Sequence, residues 1–204
     1  MNGESRVFVV DDDEAMRHSL SLLLRTAGYS VETFASPMDF LESCDPGSGG
    51  CLILDVKMPE MDGPTLQTEL SMRGLQLPVI FLTGYGTIPM AVSAVKAGAI
   101  DFLTKPVDGA LLLGRVRDAL RKNLEMADQM AEYKNAADLL AKLTHREREI
   151  MMLAIAGHPN KEIGRVLGIS YRTVEIHRSQ ILKKTGANNL LDLARIASLA
   201  DTPN

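Results

Sequence analysis

The chain has no apolar run near the roughly eighteen residues a membrane span needs. Its start lacks a basic segment followed by an apolar one. Val7-Phe8-Val9-Val10 is short and runs straight into acids, so no signal peptide is expected. Cysteine is scarce. Cys44 and Cys51 are the two cysteines, without metal-ligand spacing or a nearby histidine partner. Both are expected to be reduced thiols of a cytoplasmic protein. A membrane span, a disulfide scaffold and a cysteine metal site are thereby set aside.

What remains is ordinary for a globular chain: 204 residues, 46% hydrophobic and 24% charged. That length suits one large domain or two small ones. The net charge of −4 hides an asymmetry. Residues 1–122 carry 16 acids and 11 bases, residues 123–142 carry 4 and 2, and residues 143–204 carry 6 and 9. An acidic front and a mildly basic back predict two domains with different partners. The small positive balance alone does not point to nucleic acid.

The front half is organised around Cys51-Leu52-Ile53-Leu54-Asp55. Four apolar residues without polar alternation read as a parallel strand buried on both faces. Similar runs occur at Arg6–Val10, Pro78–Leu82 and Ile100–Leu103, and Ser30–Phe34 reads as a half-exposed strand. Helical periodicity fills the intervals: Asp13–Ala27, Pro37–Ser43 with Ser36 as cap, Gly63–Arg73, Thr87–Ala97, and a long helix from Val107 or Asp108. Residues 46–50 read as a loop. Five strands alternating with five helices predict an α/β fold, a doubly wound parallel sheet in the order 2-1-3-4-5.

That order gathers the strand ends at one rim. The first strand ends in Asp11-Asp12-Asp13 and the third in Asp55. The fourth ends in Thr83-Gly84, and Thr104-Lys105-Pro106 follows the fifth. Clustered carboxylates repel unless a cation joins them, and an all-oxygen set favours Mg2+. Lys105 supplies a second cation and Thr83 a donor that is useful once a phosphoryl group arrives. Each residue alone also reads as a turn or cap: Asp55 after its strand, Thr83 on the backbone, Asp13 as the cap of the first helix.

Residues 6–122 resemble the receiver domain of two-component signalling. The resemblance rests on Val10-Asp11-Asp12-Asp13, Leu54-Asp55-Val56-Lys57-Met58-Pro59, Leu82-Thr83-Gly84 and Lys105-Pro106. It implies that Asp55 accepts a phosphoryl group from a phosphohistidine of a sensor histidine kinase. It implies Mg2+ held directly by Asp12 and Asp55, by Asp11 through water, and by the Lys57 carbonyl. It also implies a cis peptide before Pro106, and Phe102 as a switch aromatic that turns inward as Thr83 moves to the phosphoryl group. The other reading of Phe102 is a plain core residue.

Residues 123–142 read as a helical linker. Its apolar stripe, with Leu124, Ala127, Met130 and Ala137, is too thin for a strong coiled coil. A loosely ordered segment is the alternative.

The back half, residues 143–204, reads as four helices. Thr144 and Glu147 form a capping box, Asn160 caps Lys161–Leu167 with Ile163, Val166 and Leu167 inward, and Ser170 caps Tyr171–Thr185 after the turn Gly168-Ile169. The last helix starts near Asn189. Helix, short glycine turn and helix are the helix-turn-helix pattern. Along Tyr171–Thr185, Val174, His177 and Ile181 form an inner face, His177 as a buried, hydrogen-bonded histidine. Arg172, Thr173, Glu175, Ile176, Ser179 and Lys183 face out. An exposed Ile176 suits a thymine methyl in a major groove, and Glu175 a cytosine amine. Arg172, Arg178, Lys183 and Lys184 suit phosphates or bases.

The block Leu143-Thr144, Glu147, Asn160-Lys161-Glu162-Ile163, Ser170 and Thr173-Val174-Glu175-Ile176-His177 resembles a LuxR/NarL-type DNA-binding domain. Together the halves resemble a FixJ-like response regulator, apart from Val107, where such sequences often carry Phe. The resemblance implies a homodimer on phosphorylation, with Val92 central and Lys96 meeting Asp101 of a second copy. The other reading of those charges is as ordinary solvated groups. A phosphorylation-controlled transcription factor binding double-stranded DNA, without a membrane partner, is the expectation. An aspartyl-phosphate enzyme is disfavoured because Lys57 stands where a second carboxylate is needed. A constitutive DNA binder with a vestigial receiver is the third reading.

Overall fold

A computed structural model of the chain describes residues 6–44, 49–84 and 86–200. The first three residues of the expected 46–50 loop lie outside them. The chain divides into two compact units, Met1–Ala127 and Asp128–Asn204. Among the described residues no helix is long and apolar enough to cross a membrane.

The first unit alternates β1 (Arg6–Val10), α1 (Glu14–Thr26), β2 (Ser30–Phe34), α2 (Pro37–Ser43), β3 (Cys51–Leu54), α3 (Gly63–Met72), β4 (Val79–Thr83), α4 (Ile88–Lys96) and β5 (Asp101–Thr104). The sheet is parallel, in the order β2-β1-β3-β4-β5. The inner strands β1, β3 and β4 lack polar alternation because both faces are covered, whereas the edge strand β2 leaves Glu32 and Thr33 exposed. Phe8, Val10, Leu52, Leu54 and Phe81 pack with Phe40, Leu66, Leu70 and Ala94 on one side. Val7, Val9, Cys51, Ile53, Ile80 and Leu82 pack with Leu20, Leu24, Leu112, Val116 and Ala119 on the other. Burial pushes the Cys51 thiol up to about 12, leaving it unreactive.

Helix starts follow from side-chain caps. Asp13 accepts from Ala15 and Met16, Ser36 from Asp39, Asp62 from Thr65 and Thr87 from Met90. Each satisfies an otherwise unpaired first-turn N–H, which stabilises a helix by about 1 kcal/mol. Helix α5 (Gly109–Ala141) is one 33-residue element and takes in most of the expected linker.

The second unit holds α6 (His145–Ile155), α7 (Asn160–Leu167), α8 (Tyr171–Thr185) and α9 (Leu190–Ala200). Its core is Leu143, Ile150, Met151, Ala154, Ile163, Val174, Ile181, Leu193 and their neighbours. The capping box at Thr144 and Glu147 is formed. The α7–α8 turn is tight: a β-carbon at Gly164 would stand 2.7 Å from the Ile169 carbonyl oxygen. Gly168 closes α7 at φ 67°, where a side chain is strained.

Three expectations for this unit need correction. Asn160 does not cap α7; the cap position is Pro159, without a side-chain bond. The Asn160 oxygen instead accepts from Arg178 Nη1 at 2.6 Å. Val166 is exposed rather than inward, because Ile163 and Gly164 fill the buried stripe of so short a helix. His177 is half-buried. Its Nδ1 is enclosed without a hydrogen-bond partner among the described residues, because its neighbours on the inner face, Val174 and Ile181, offer no polar group.

Candidate functional site

Sheet register sets the site in the first unit. Val10 pairs with Leu54, and Leu54 with Phe81. The next residues, Asp11 and Asp55, therefore emerge side by side, with Asp55 N donating to the Val10 carbonyl at 2.9 Å. Asp11 is 2% exposed and Asp55 6%. Two buried carboxylates need compensation. Lys105 Nζ supplies it, 2.6 Å from Asp11 Oδ2 and 2.8 Å from Asp55 Oδ1. The remaining oxygens take backbone donors: Asp13 N to Asp11 Oδ1 at 3.0 Å, and Lys57 N to Asp55 Oδ2 at 2.8 Å. Arg17 reaches the Asp11 carbonyl.

Lys105 is held from the fourth strand as well, its N–H donating to the Thr83 carbonyl at 2.8 Å. The Lys105–Pro106 peptide is cis. Thr83 is fully buried. Gly63 opens α3 hard against this rim. A β-carbon there would collide with the Asp55 carbonyl oxygen and crowd the Phe81 ring.

Burial pushes the Asp11 carboxyl above its ordinary value; Lys105 and the Asp13 N–H oppose this, and the charge of Asp55 adds to it. Burial alone would lower Lys105, but its two carboxylate partners hold it above its ordinary value. One ammonium faces two carboxylates, so the site is electrostatically receptive to a further cation. Its donors are hard oxygens, the kind that suits Mg2+. Asp12 is exposed beside the pair. Among the described residues, no three His, Cys, Asp or Glu side chains form a group arranged to hold a metal ion. The fit therefore lies in donor type and charge.

Phe102 is half-buried and packs against Phe81 at 6.1 Å between ring centroids. Val92 and Lys96 are exposed on α4. Ile88 and Val95 are exposed on the same helix, an apolar set at spacings of four and three that sequence reasoning reduced to Val92. Asp101 is already engaged. Its Oδ2 lies 2.6 Å from Arg115 Nε, and its Oδ1 accepts from Phe102 N. The reading of Asp101 as a purely solvated charge is set aside, and Arg115 is the partner the sequence did not disclose.

In the second unit α8 exposes Arg172, Glu175, Ile176, Ser179 and Lys183. Ile176 is 54% exposed among them. Thr173 is half-buried, and its hydroxyl lies 2.8 Å from that of the cap Ser170. Arg178 ties α8 to α7 through Asn160, and Arg146 reaches the Leu167 carbonyl from α6. Lys184 is drawn out of the expected phosphate-binding set. Its Nζ pairs with Glu147 Oε2 at 2.7 Å.

Residues 7–117 match the response regulator receiver domain, and residues 141–197 match the bacterial regulatory proteins of the luxR family. The chain is a LuxR-type two-component response regulator. It is 48% identical over 189 residues to the transcriptional regulatory protein TdiR of Thauera aromatica, covering 93% of this chain and 83% of that one. It is 38% identical over 204 residues to the transcriptional regulatory protein FixJ of Bradyrhizobium diazoefficiens, covering 100% of both. Among solved structures, the response regulator StyR is similar at a TM-score of 0.85 and 41% identity, over 95% of this chain and 98% of that one. Response regulators of this family are transcriptional regulators. Phosphorylation of the receiver is their chemistry, and a kinase and DNA are their partners.

Proposed function

We propose that Asp55 accepts a phosphoryl group from a sensor histidine kinase and that this controls DNA binding by α8. The observation that carries the reading is Lys105 Nζ seated between Asp11 and Asp55. In the transfer, the P–N bond of a phosphohistidine protonated on its other ring nitrogen breaks, a P–O bond forms to an Asp55 carboxylate oxygen, and the histidine leaves as a neutral imidazole that keeps that proton. Lys105 then meets a phosphoryl oxygen, and the buried Thr83 hydroxyl is the further donor. Asp11, Asp12, Asp55 and the Lys57 carbonyl would hold Mg2+, whose charge offsets that of the phosphoryl oxygens.

The response is a two-state shift carried by Thr83 and Phe102 to the edge of α4 and β5. There Val92, with Ile88 and Val95, forms the apolar centre of a homodimer. Lys96 of each copy meets the Asp101 carboxylate that Arg115 already holds. Two second units then engage related half-sites on DNA. Arg172, Arg178, Ser179 and Lys183 make phosphate or base contacts, Thr173 a phosphate contact at the helix start, and Glu175 and Ile176 read bases. The protein acts in the cytoplasm, where kinase domain and DNA meet.

The test is sizing and operator binding with and without beryllofluoride and Mg2+. Phosphoryl-dependent dimerisation that is lost in Asp55→Asn is the expected result. Unchanged dimerisation in that variant would sink the reading.

A further inference from the structure

Two features flank the Phe102 ring, and neither is used by the function so far. The first is Gly86, in the segment between β4 and α4. A β-carbon built there stands 2.7 Å from Phe102 Cε1, 3.4 Å from its Cζ and 3.2 Å from Thr104 Cγ2. Carbon atoms in contact rest at about 3.5–4.0 Å. The ring therefore occupies space that any other residue at position 86 would claim. The second is a cavity of about 340 Å³ between α3 and α4, lined by Val56, Phe81, Met90, Ala94, Ala97 and by Phe102 itself. Apart from Gln67, Thr68 and Ser93 its lining is apolar, so it offers a ring displaced from Gly86 mostly apolar contact.

We infer that Gly86 is a positioning residue for the signalling switch. By lacking a side chain it permits the outward seat of the Phe102 ring, and the α3–α4 cavity is the space that receives the ring when it leaves. This rests on the reading of Phe102 as the switch aromatic, and deepens it. A two-state element is biased by whatever destabilises one of its seats. A methyl group at position 86 acts on the outward seat alone, since the inward ring no longer touches it. The switch is then displaced toward its phosphorylated form without any change at Asp55, Thr83 or Lys105. Met90, an unbranched side chain on the cavity wall, can shift to admit the ring.

The experiment uses the full chain and titrates beryllofluoride at fixed Mg2+, with dimer formation by analytical ultracentrifugation as readout. Four proteins are compared: wild type, Gly86→Ala, Phe102→Ala and the double variant. Gly86→Ala should lower the beryllofluoride midpoint about fivefold, and in the Phe102→Ala background the same change should leave the midpoint where it was. A midpoint unchanged or raised by Gly86→Ala overturns the inference, as does an equal shift in both backgrounds. Should Gly86→Ala alone fail to fold, recovery in the double variant supports the contact, and failure there overturns it. A Phe102→Ala protein that matches wild type removes the switch reading itself, and this inference with it.

Discussion

Lys184, at the end of α8, places its ammonium 2.7 Å from Glu147, at the start of α6, and that carboxyl group belongs to a residue 2% exposed. The same oxygen accepts from Thr144 N and Oγ1. Burial alone would raise the Glu147 carboxyl, but Lys184 and the two Thr144 donors outweigh it and hold it below 4.5. A folded value below the unfolded one means that ionisation stabilises the fold above the unfolded value of 4.5. That contribution is lost as pH falls through the folded value. Wild type should lose stability in the second unit on acidification below about pH 4.5, while Glu147→Gln loses less over the same range. Hydrogen exchange on the full chain from pH 6 down to about pH 3 measures this. Parallel pH profiles for the two proteins would contradict it.

Lys105→Met should act on stability as well as signalling. It leaves Asp11 and Asp55 buried without the cation that now pairs with both. The receiver unit should lose about 2–3 kcal/mol in urea unfolding without Mg2+, toward the low end for a broken buried pair because Lys105 itself keeps some solvent contact. Millimolar Mg2+ should then restore more stability to the variant than it adds to wild type, since the variant has more uncompensated charge. Equal Mg2+ responses would argue against a cation site at these carboxylates.

Glu60 holds φ at 64°, the one described non-glycine residue with positive φ. It lies five residues after Asp55, in the loop before α3. Relief of strain in Glu60→Gly and the greater entropy of an unfolded glycine nearly cancel, so that change should be within about 0.5 kcal/mol of neutral. Glu60→Ile, whose branched side chain resists this conformation, should cost about 1–2 kcal/mol. Urea midpoints for the two variants differing by less than experimental error would show that the loop relaxes freely.

The sheet and its rim were legible because their signals are local. A strand buried on both faces is a run of apolar residues, and the charged or hydroxyl residue after it falls at the rim whatever the register details. Asp11, Asp55, Thr83 and Lys105 could thus be named together, although Lys105 lies 94 positions from Asp11. The second unit yielded less because its polar side chains choose partners across helices. Asn160 looks like a cap in sequence, but Arg178, 18 residues on, takes its oxygen. Lys183 and Lys184 are indistinguishable as letters. One helical step of about 100° sends the second to Glu147 and leaves the first in solvent. Asp101 shows the same limit: its pairing with Arg115 depends on how α5 lies beside β5.

That split predicts three kinds of defect along α8. Lys183→Ala should weaken binding to all DNA sequences alike and reduce the salt slope by about 1, as loss of one phosphate contact does. Ile176→Ala should leave the salt slope unchanged and cost about 1 kcal/mol on the operator alone, since an apolar contact reads a base edge. Arg178→Ala should first destabilise the second unit, by about 1–2 kcal/mol, because it removes the bond that joins α8 to α7. Operator and random-sequence affinities at two salt concentrations, beside thermal melts, separate the three. Equal weakening of both DNAs by Ile176→Ala would move base reading elsewhere on this face, and an Arg178→Ala melt identical to wild type would show that the bond to Asn160 does not tether α8.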